Sequence, residues 1–338
     1  MTEFAWALIG PGTVARRFAG AVEGLADARL HAVCGRDATR TEAFVAACSN
    51  KSGTPVQAAR GLDEILDDPL VEGVYVATPH AQHGDLVRRC LEAGKPVLCE
   101  KPLVPNLAEG SALTELASHR KVFLMEAVWT RFLPVYEAVA GWLRDGAIGR
   151  LRAIQSSICF RAPFEPTGRL FNPALAGGAL LDLGVYSVTM TRWVIQQTAG
   201  TCPEPVSIHA SGRLAPTGVD QRVSAMLDFP DGLASQFVCG LDGFAGNGMA
   251  IAGERGVVRV AAPFWASAEA TLHRPGEPEQ RVHAPFRTNG FEYEIEEAQR
   301  CIRAGLIESP GMTHSDTLAA LRWMDEIRRQ IGVRYPFE

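Results

Sequence analysis

The feature that most narrows the fold of this chain is a glycine turn placed directly after an apolar run. Phe4 to Ile9 (Phe-Ala-Trp-Ala-Leu-Ile) is compact and apolar, and it reads as a buried strand. Gly10-Pro11-Gly12-Thr13-Val14-Ala15 follows at once, and an amphipathic stretch continues to about Glu23. This is a G-x-G-x-x-A turn between a strand and a helix. Gly10 permits the tight turn, Gly12 lets a pyrophosphate approach the backbone, and Ala15 is small enough for close helix–strand packing. The N–H groups at Thr13 and Val14, with the positive end of the helix dipole, are expected to face that pyrophosphate. The plainer alternative is a glycine-rich turn that holds no ligand.

The next strand, about Ala28 to Cys34, ends at Gly35-Arg36-Asp37. An NAD site usually carries an acidic residue at this point, to accept from the ribose 2′-hydroxyl. Arg36 is cationic and suits a 2′-phosphate better, with Arg40 one helical turn further on, so NADP is the expected cofactor and NAD stays open. Asp37 is the counter-argument, because a small shift would bring its carboxylate to the ribose. Gly73 to Ala77 is a further strand, ending in Thr78-Pro79-His80. A helical stretch from Gly84 to Ala93 separates it from the short run Pro96-Val97-Leu98-Cys99. That run stops at Glu100-Lys101-Pro102, since proline cannot donate to a sheet ladder and restricts the residue before it. Lys101 is thereby presented at a strand's carboxyl end, where open α/β sheets bind ligands. Thr78, Pro79, His83, Glu100 and Lys101 are expected to border the cofactor. His80 and His83 lack further ligands at metal spacing, so no metal is expected. A helix from Asn106 to His119 and a strand from Val122 to Met125 complete the alternation, which implies a parallel sheet covered by helices.

At 338 residues the chain is long for a single core, and two domains are expected, 1–125 and 126–338. Beyond residue 125 a helix (Phe132 to Arg144) precedes a strand (Leu151 to Phe160) and a Pro/Gly-containing loop. An apolar helix then runs from Ala176-Gly177-Gly178 to about Gln197. Strand-like segments follow at Val206–Arg213, Arg222–Phe229, Leu233–Cys239, Met249–Ala252, Gly256–Val260 and Ala268–His273. Short turn signals join them, which favours antiparallel pairing. Helices at about Phe291–Ala304 and Ser315–Ile331 close the chain. The fold class is therefore α/β, with a Rossmann dinucleotide-binding domain ahead of an α+β domain.

A net charge of −5 without a basic run argues against nucleic acid as a partner. No uninterrupted apolar run approaches the roughly 20 residues of a bilayer span, so no membrane partner is expected. Eight cysteines are scattered without a Cys-x-x-Cys pair, as in a reduced cytoplasmic protein.

Asp182 and Tyr186 lie four residues apart on the apolar helix and so share a face. A buried carboxylate without a partner is costly, so Asp182 needs one. Its two readings, a helix-start Asp binding backbone N–H groups or a catalytic group, stand level on periodicity alone.

Three motifs in order, Gly10-x-Gly12-x-x-Ala15, Glu100-Lys101-Pro102 and Gly177-Gly178-Ala179-Leu180-Leu181-Asp182-Leu183-Gly184-Val185-Tyr186, resemble the Gfo/Idh/MocA family of oxidoreductases. Met125-Glu126-Ala127-Val128-Trp129-Thr130-Arg131-Phe132 and the Tyr-ended helix look most like its dimeric dihydrodiol dehydrogenase and D-xylose dehydrogenase branch. Most other members carry a histidine at the place of Tyr186. The resemblance implies a second domain with a mostly antiparallel, open-faced sheet that serves subunit association, as a homodimer or homotetramer. It also implies a Lys101–Pro102 bond open to the cis form, and Lys101 and Tyr186 as catalytic residues assisted by Asp182.

Those side chains suit hydride transfer to or from a secondary alcohol. Tyr186 is a poor base near neutral pH unless a cation favours its phenolate, and Lys101 is the candidate cation. Trp129, Phe160, Arg161 and Arg169 are candidates for the substrate wall. The expected substrate is a sugar, polyol or dihydrodiol. The alternatives are a nucleotide-sensing regulator of the same fold and a sugar oxidoreductase with a tightly held, recycled cofactor.

Overall fold

The computed structural model describes residues 3–338. The chain divides into two compact units. One contains residues up to Val104, then Ala108–Trp129 and Arg287–His314; the other contains Pro105–Leu107, Thr130–Phe286 and Ser315–Glu338. Neither is one continuous stretch, in contrast to the single boundary expected after residue 125. A helix from the far end of the chain packs into the first unit because its apolar stripe is buried there.

In the first unit, β1 (Phe4–Ile9), α1 (Thr13–Gly24), β2 (Ala28–Cys34), α2 (Ala38–Ala46), β3 (Gln57–Ala59), α3 (Leu62–Asp67), β4 (Gly73–Val76), α4 (His83–Glu92), β5 (Val97–Glu100), α5 (Leu107–Arg120) and β6 (Leu124–Ala127) alternate. They form a six-stranded sheet in the order β3-β2-β1-β4-β5-β6, and every pairing is parallel. All six residues of β1 are buried, as expected of a strand covered on both faces. β3, Gln-Ala-Ala, is a short, largely exposed edge strand, and without an apolar run it has no strand signal in the sequence. β6 begins later than expected and takes in Glu126, a buried acid inside an otherwise apolar element.

The second unit begins with α6 (Pro134–Arg144) and β7 (Leu151–Cys159). The expected regular helix from Ala176 is not what forms. A 3-10 turn covers Pro173–Leu175, Gly178 takes φ 125°, a π-helical turn covers Leu180–Gly184, and α7 runs only from Val185 to Ala199. The two glycines interrupt the helix because Gly178 occupies backbone space that helical residues cannot.

Seven strands follow: β8 (Ser207–Leu214), β9 (Asp220–Asp228), β10 (Ala234–Gly240), β11 (Met249–Gly253), β12 (Val257–Val260), β13 (Glu269–His273) and β14 (Gln280–His283). The sheet order is β14-β13-β12-β11-β7-β10-β9-β8. Only β7 and β10 pair in parallel; the other pairings are antiparallel. β14 is a polar edge strand and carried no apolar signal. The chain then gives α8 (Glu292–Arg303), which packs on α1 in the first unit, and α9 (His314–Ile331).

α7 packs on one face of this sheet, with Ser187 bonded to Ser156 and Thr191 to Ser235. The opposite face shows Gln155, Gln236, Met226 and Ser224 and is open in the chain. A depression of 580 Å³ on it contains none of the candidate catalytic residues. Among the described residues one helical stretch, Pro173–Ala199, is long and apolar enough to cross a membrane, but 89% of its most apolar window is buried inside the protein.

Candidate active site

The glycine turn has the geometry that a pyrophosphate needs. Gly10 adopts φ 94°, and a Cβ there would lie 2.8 Å from the Thr78 methyl and 2.9 Å from the Ala77 carbonyl oxygen. At Gly12, which opens α1, the nearest atom to an added Cβ is 4.0 Å away. No side chain caps α1 and its first turn holds no acid. Thr13 and Val14 are exposed there, so the helix's N–H groups are free of a competing side-chain acceptor. The residues present therefore fit a dinucleotide phosphate.

At the end of β2, Arg36 is exposed. Asp37 caps α2, its carboxylate accepting from the Arg40 amide at 3.0 Å. A Cβ at Gly35 would sit 2.6 Å from the Thr41 hydroxyl and 2.7 Å from the Pro11 ring, so the packing of Pro11 and Thr41 leaves no room for a side chain there.

The strand-end turns beyond β4 and β5 are held by buried polar groups. The Lys101–Pro102 peptide is cis. Glu100 points inward: it accepts from the Tyr75 hydroxyl and, at 3.2 Å, from the Lys101 amide. Glu126 accepts from the Leu103 amide at 3.1 Å. His83 is wholly buried, one ring nitrogen 3.0 Å from the Pro102 carbonyl oxygen and the other 2.8 Å from that of Thr78. Its ring thus ties one turn to the other, and Glu100 and His83 brace the turns on either side of Lys101. Burial, with the charge of Lys101 as a lesser cause, pushes the His83 imidazole below its ordinary pKa. Thr78 and Pro79 remain half-buried at the end of β4, and the Thr78 hydroxyl oxygen has no hydrogen-bond partner. Among the described residues no group of three His, Cys, Asp or Glu side chains could hold a metal.

Trp129 is buried in the first unit, its ring tilted against Phe291 at 5.1 Å, with the Arg17 guanidinium 4.2 Å from its ring centre.

In the second unit Asp182 finds the partner it needs in Arg169, at 2.9 Å. Arg169 is thus tied to Asp182, its side chain 54% exposed against 8% for the carboxylate. A buried acid bonded to a half-exposed guanidinium is far better tolerated than a lone one. Tyr186 is buried at 7% exposure, one residue into α7 and just beyond the π-helical turn. Such turns are frequent at functional sites. Phe160 is half-buried and Arg161 exposed, the latter bridging the backbone of Asp242.

Three residues that support these groups were not anticipated: Tyr75, Glu126 and Asp220. Asp220 accepts from the Leu180 amide at 2.6 Å and so caps the segment carrying Asp182 and Tyr186. The one available signal was an acid embedded in an apolar run, as at Glu126.

Both parts of the chain match known proteins. Residues 4–128 match the family described as oxidoreductase, NAD-binding Rossmann fold, and residues 136–259 match the GFO/IDH/MocA C-terminal domain. The chain is 34% identical over 342 residues to trans-1,2-dihydrobenzene-1,2-diol dehydrogenase of Macaca fascicularis, covering 98% of each chain. The Homo sapiens protein of that name is 33% identical over 338 residues, again with 98% of each covered. Among solved structures, aldose-aldose oxidoreductase from Caulobacter crescentus superposes with a TM-score of 0.84 at 25% identity, covering 97% of each chain. A 3-ketoreductase from Actinomadura kijaniata, solved with NADP, shares the fold with a TM-score of 0.83 at 22% identity, covering 98% of each. The chain belongs to the Gfo/Idh/MocA oxidoreductase family.

Proposed function

We propose that this oxidoreductase uses NADP to interconvert an alcohol and a carbonyl on a cyclic trans-dihydrodiol or an aldose, with Tyr186 and Lys101 as its catalytic residues and Asp182 assisting. The observation that carries the reading is the buried Asp182–Tyr186 segment, in which an acid held by Arg169 and a phenol interrupt a wholly apolar stretch. Full-length identity to the dihydrodiol dehydrogenases supports the substrate class. The exposed Arg36, next to an Asp37 whose carboxylate caps α2, supports the 2′-phosphate of NADP.

A bound nicotinamide supplies the hydride acceptor or donor. Tyr186 exchanges the hydroxyl proton. Its phenol ordinarily ionises near pH ~10, and the positive charge of Lys101 favours the phenolate during oxidation. In reduction Tyr186 donates the proton and Lys101 polarises the carbonyl. Gly10, Gly12, Thr13 and Val14 bind the pyrophosphate; Thr78 and Pro79 border the nicotinamide side. Phe160 and Arg161 belong to the substrate wall. Asp182 keeps Arg169 and the polar face in place.

The test is a spectrophotometric screen of dihydrodiols, sugars and polyols with NADP and NAD in parallel, repeated with Lys101→Ala and Tyr186→Phe. Unchanged turnover in both variants would overturn the assigned roles, and a preference for NAD would overturn that of Arg36. The similarity to aldose-aldose oxidoreductase favours a second reading, a tightly held and recycled cofactor. Protein that purifies with reduced-nicotinamide absorbance would support it.

The same proposal includes a cytoplasmic protein whose eight cysteines are all free thiols, and association as a homodimer or homotetramer through the open face of the larger sheet. Sedimentation of the purified chain tests the association.

A further inference from the structure

Asp220 opens β9 and is wholly buried, yet the chemistry above gives it no part. Its Oδ2 accepts from the Leu180 amide at 2.6 Å, at the first residue of the π-helical turn. Its Oδ1 has no hydrogen-bond partner and is pressed against Gly178, where an added Cβ would come within 2.2 Å of it. The neighbouring glycine is also held, because the Tyr335 hydroxyl donates to the Gly177 carbonyl oxygen at 2.7 Å. A carboxylate and a phenol thus clamp the two-glycine turn that leads into Asp182 and Tyr186.

The carboxylate's environment is mixed. Burial pushes Asp220 up to about 6, against the pull of the Leu180 and Ala179 amides and of the Arg328 guanidinium on α9. Tyr335 from the C-terminal segment and Cys239 from β10 are the other titratable groups beside it. A buried acid with one oxygen unsatisfied is destabilising in itself, so the fold alone does not account for its presence. Two effects make the ionised form the better anchor. Hydrogen bonds to a charged acceptor are roughly twice as strong as neutral ones, and an anion is favoured at a helix's amino end.

We propose that Asp220 is a positioning residue for catalysis: as a carboxylate it fixes the amino end of the Leu180–Gly184 turn and thereby the orientation of Tyr186. The inference rests on the proton-exchange role proposed for Tyr186. Protonation as pH falls through about 6 weakens the anchor, so activity drops on the acid side through kcat, with KM nearly unchanged.

The experiment compares wild type, Asp220→Asn and Tyr186→Phe by steady-state kinetics from pH 5 to pH 8, with hydrogen exchange read on residues 178–186. In wild type, kcat is expected to fall roughly tenfold from pH 7 to pH 5. Asp220→Asn should have a lower, flat kcat over that range and faster exchange of the Leu180 amide at equal pH. An Asp220→Asn enzyme that keeps the wild-type kcat and acid limb overturns the inference. Should that variant not fold, wild-type exchange decides: protection at Leu180, corrected for intrinsic rates, should decrease from pH 7.5 to pH 5, and constant protection overturns the inference. Full turnover in Tyr186→Phe overturns the role of Tyr186 and this inference together. A dead Tyr186→Phe beside an unaffected Asp220→Asn overturns only the present one.

Discussion

The two sheets bury their strands in different ways, and the difference decides where each can carry chemistry. In the six-stranded parallel sheet, β1 and β4 are buried at every residue. Their side chains make core, and the groups expected to meet a ligand stand at strand ends, in the turns after β1, β4 and β5. In the eight-stranded sheet, β9 alternates buried and accessible positions, and α7 lies on one face. There the candidate groups sit on the covering helix, at its irregular start. The first arrangement works largely through backbone geometry; the second depends on side chains held by distant partners.

The largest expected effect tests that distinction at its two principal side chains. Lys101→Ala and Tyr186→Phe should each lower kcat by about 10²–10⁴-fold, the range of a lost acid–base group, with little change in thermal melting. A drop in melting temperature that accounts for the lost activity would return both residues to structural roles.

Next in size is the ion network of the second unit. Asp316 binds Arg131 at 2.9 Å and Arg192 at 2.6 Å, with all three side chains buried. Asp316→Ala strands two guanidinium groups and should cost about 3–5 kcal/mol in urea unfolding. These partners, the Arg131 charge above all, offset burial and hold the Asp316 carboxyl below its ordinary value. A lowered pKa gives stability that is present above the unfolded value near 3.9 and is lost as pH falls below it. Wild type should therefore lose this advantage in acid, and Asp316→Ala should not.

The first unit holds a contrary case. Glu294 on α8 is wholly buried, and neither carboxyl oxygen has a hydrogen-bond partner. Burial, then the nearby Glu100, pushes its pKa well up. A raised pKa gives stability that is complete below the unfolded value and fades as pH climbs toward the folded one. Glu294→Gln should accordingly match wild type in mild acid and exceed it in alkaline solution, by about 1–3 kcal/mol. Equal stability at all pH values would mean that the carboxyl is satisfied in solution.

The smallest effect concerns the open sheet face. Gln236→Lys should alter the stability of the isolated chain by no more than about 0.5 kcal/mol, while shifting its association in sedimentation. Unchanged association would remove this face from the proposed assembly.

The first unit was the more legible because its constraints are local. The φ of 94° at Gly10 and the uncapped start of α1 follow from residues adjacent in the chain. The inward turn of Glu100 was not legible, since its partner Tyr75 lies on the neighbouring strand β4, 25 positions away. The surroundings of His83 were not legible for the same reason: its ring nitrogens lie against two carbonyl oxygens from separate turns. In the second unit Asp182 could be recognised as an acid in need of a partner, but nothing in its spacing singled out Arg169.

The order of apolar runs, glycines and the Glu100-Lys101-Pro102 stop determined by itself that a dinucleotide fold precedes an α+β domain, because periodicity and turn chemistry act over a few residues. Only tertiary structure decided which polar groups are used internally and which remain to meet a ligand. It set Asp37 on the amino end of α2, Trp129 beneath Arg17, and Asp220 under the turn that begins the Tyr186 segment. The physical reason is common to all three: a buried polar or aromatic group must find its partner in space, and that partner is supplied by folding.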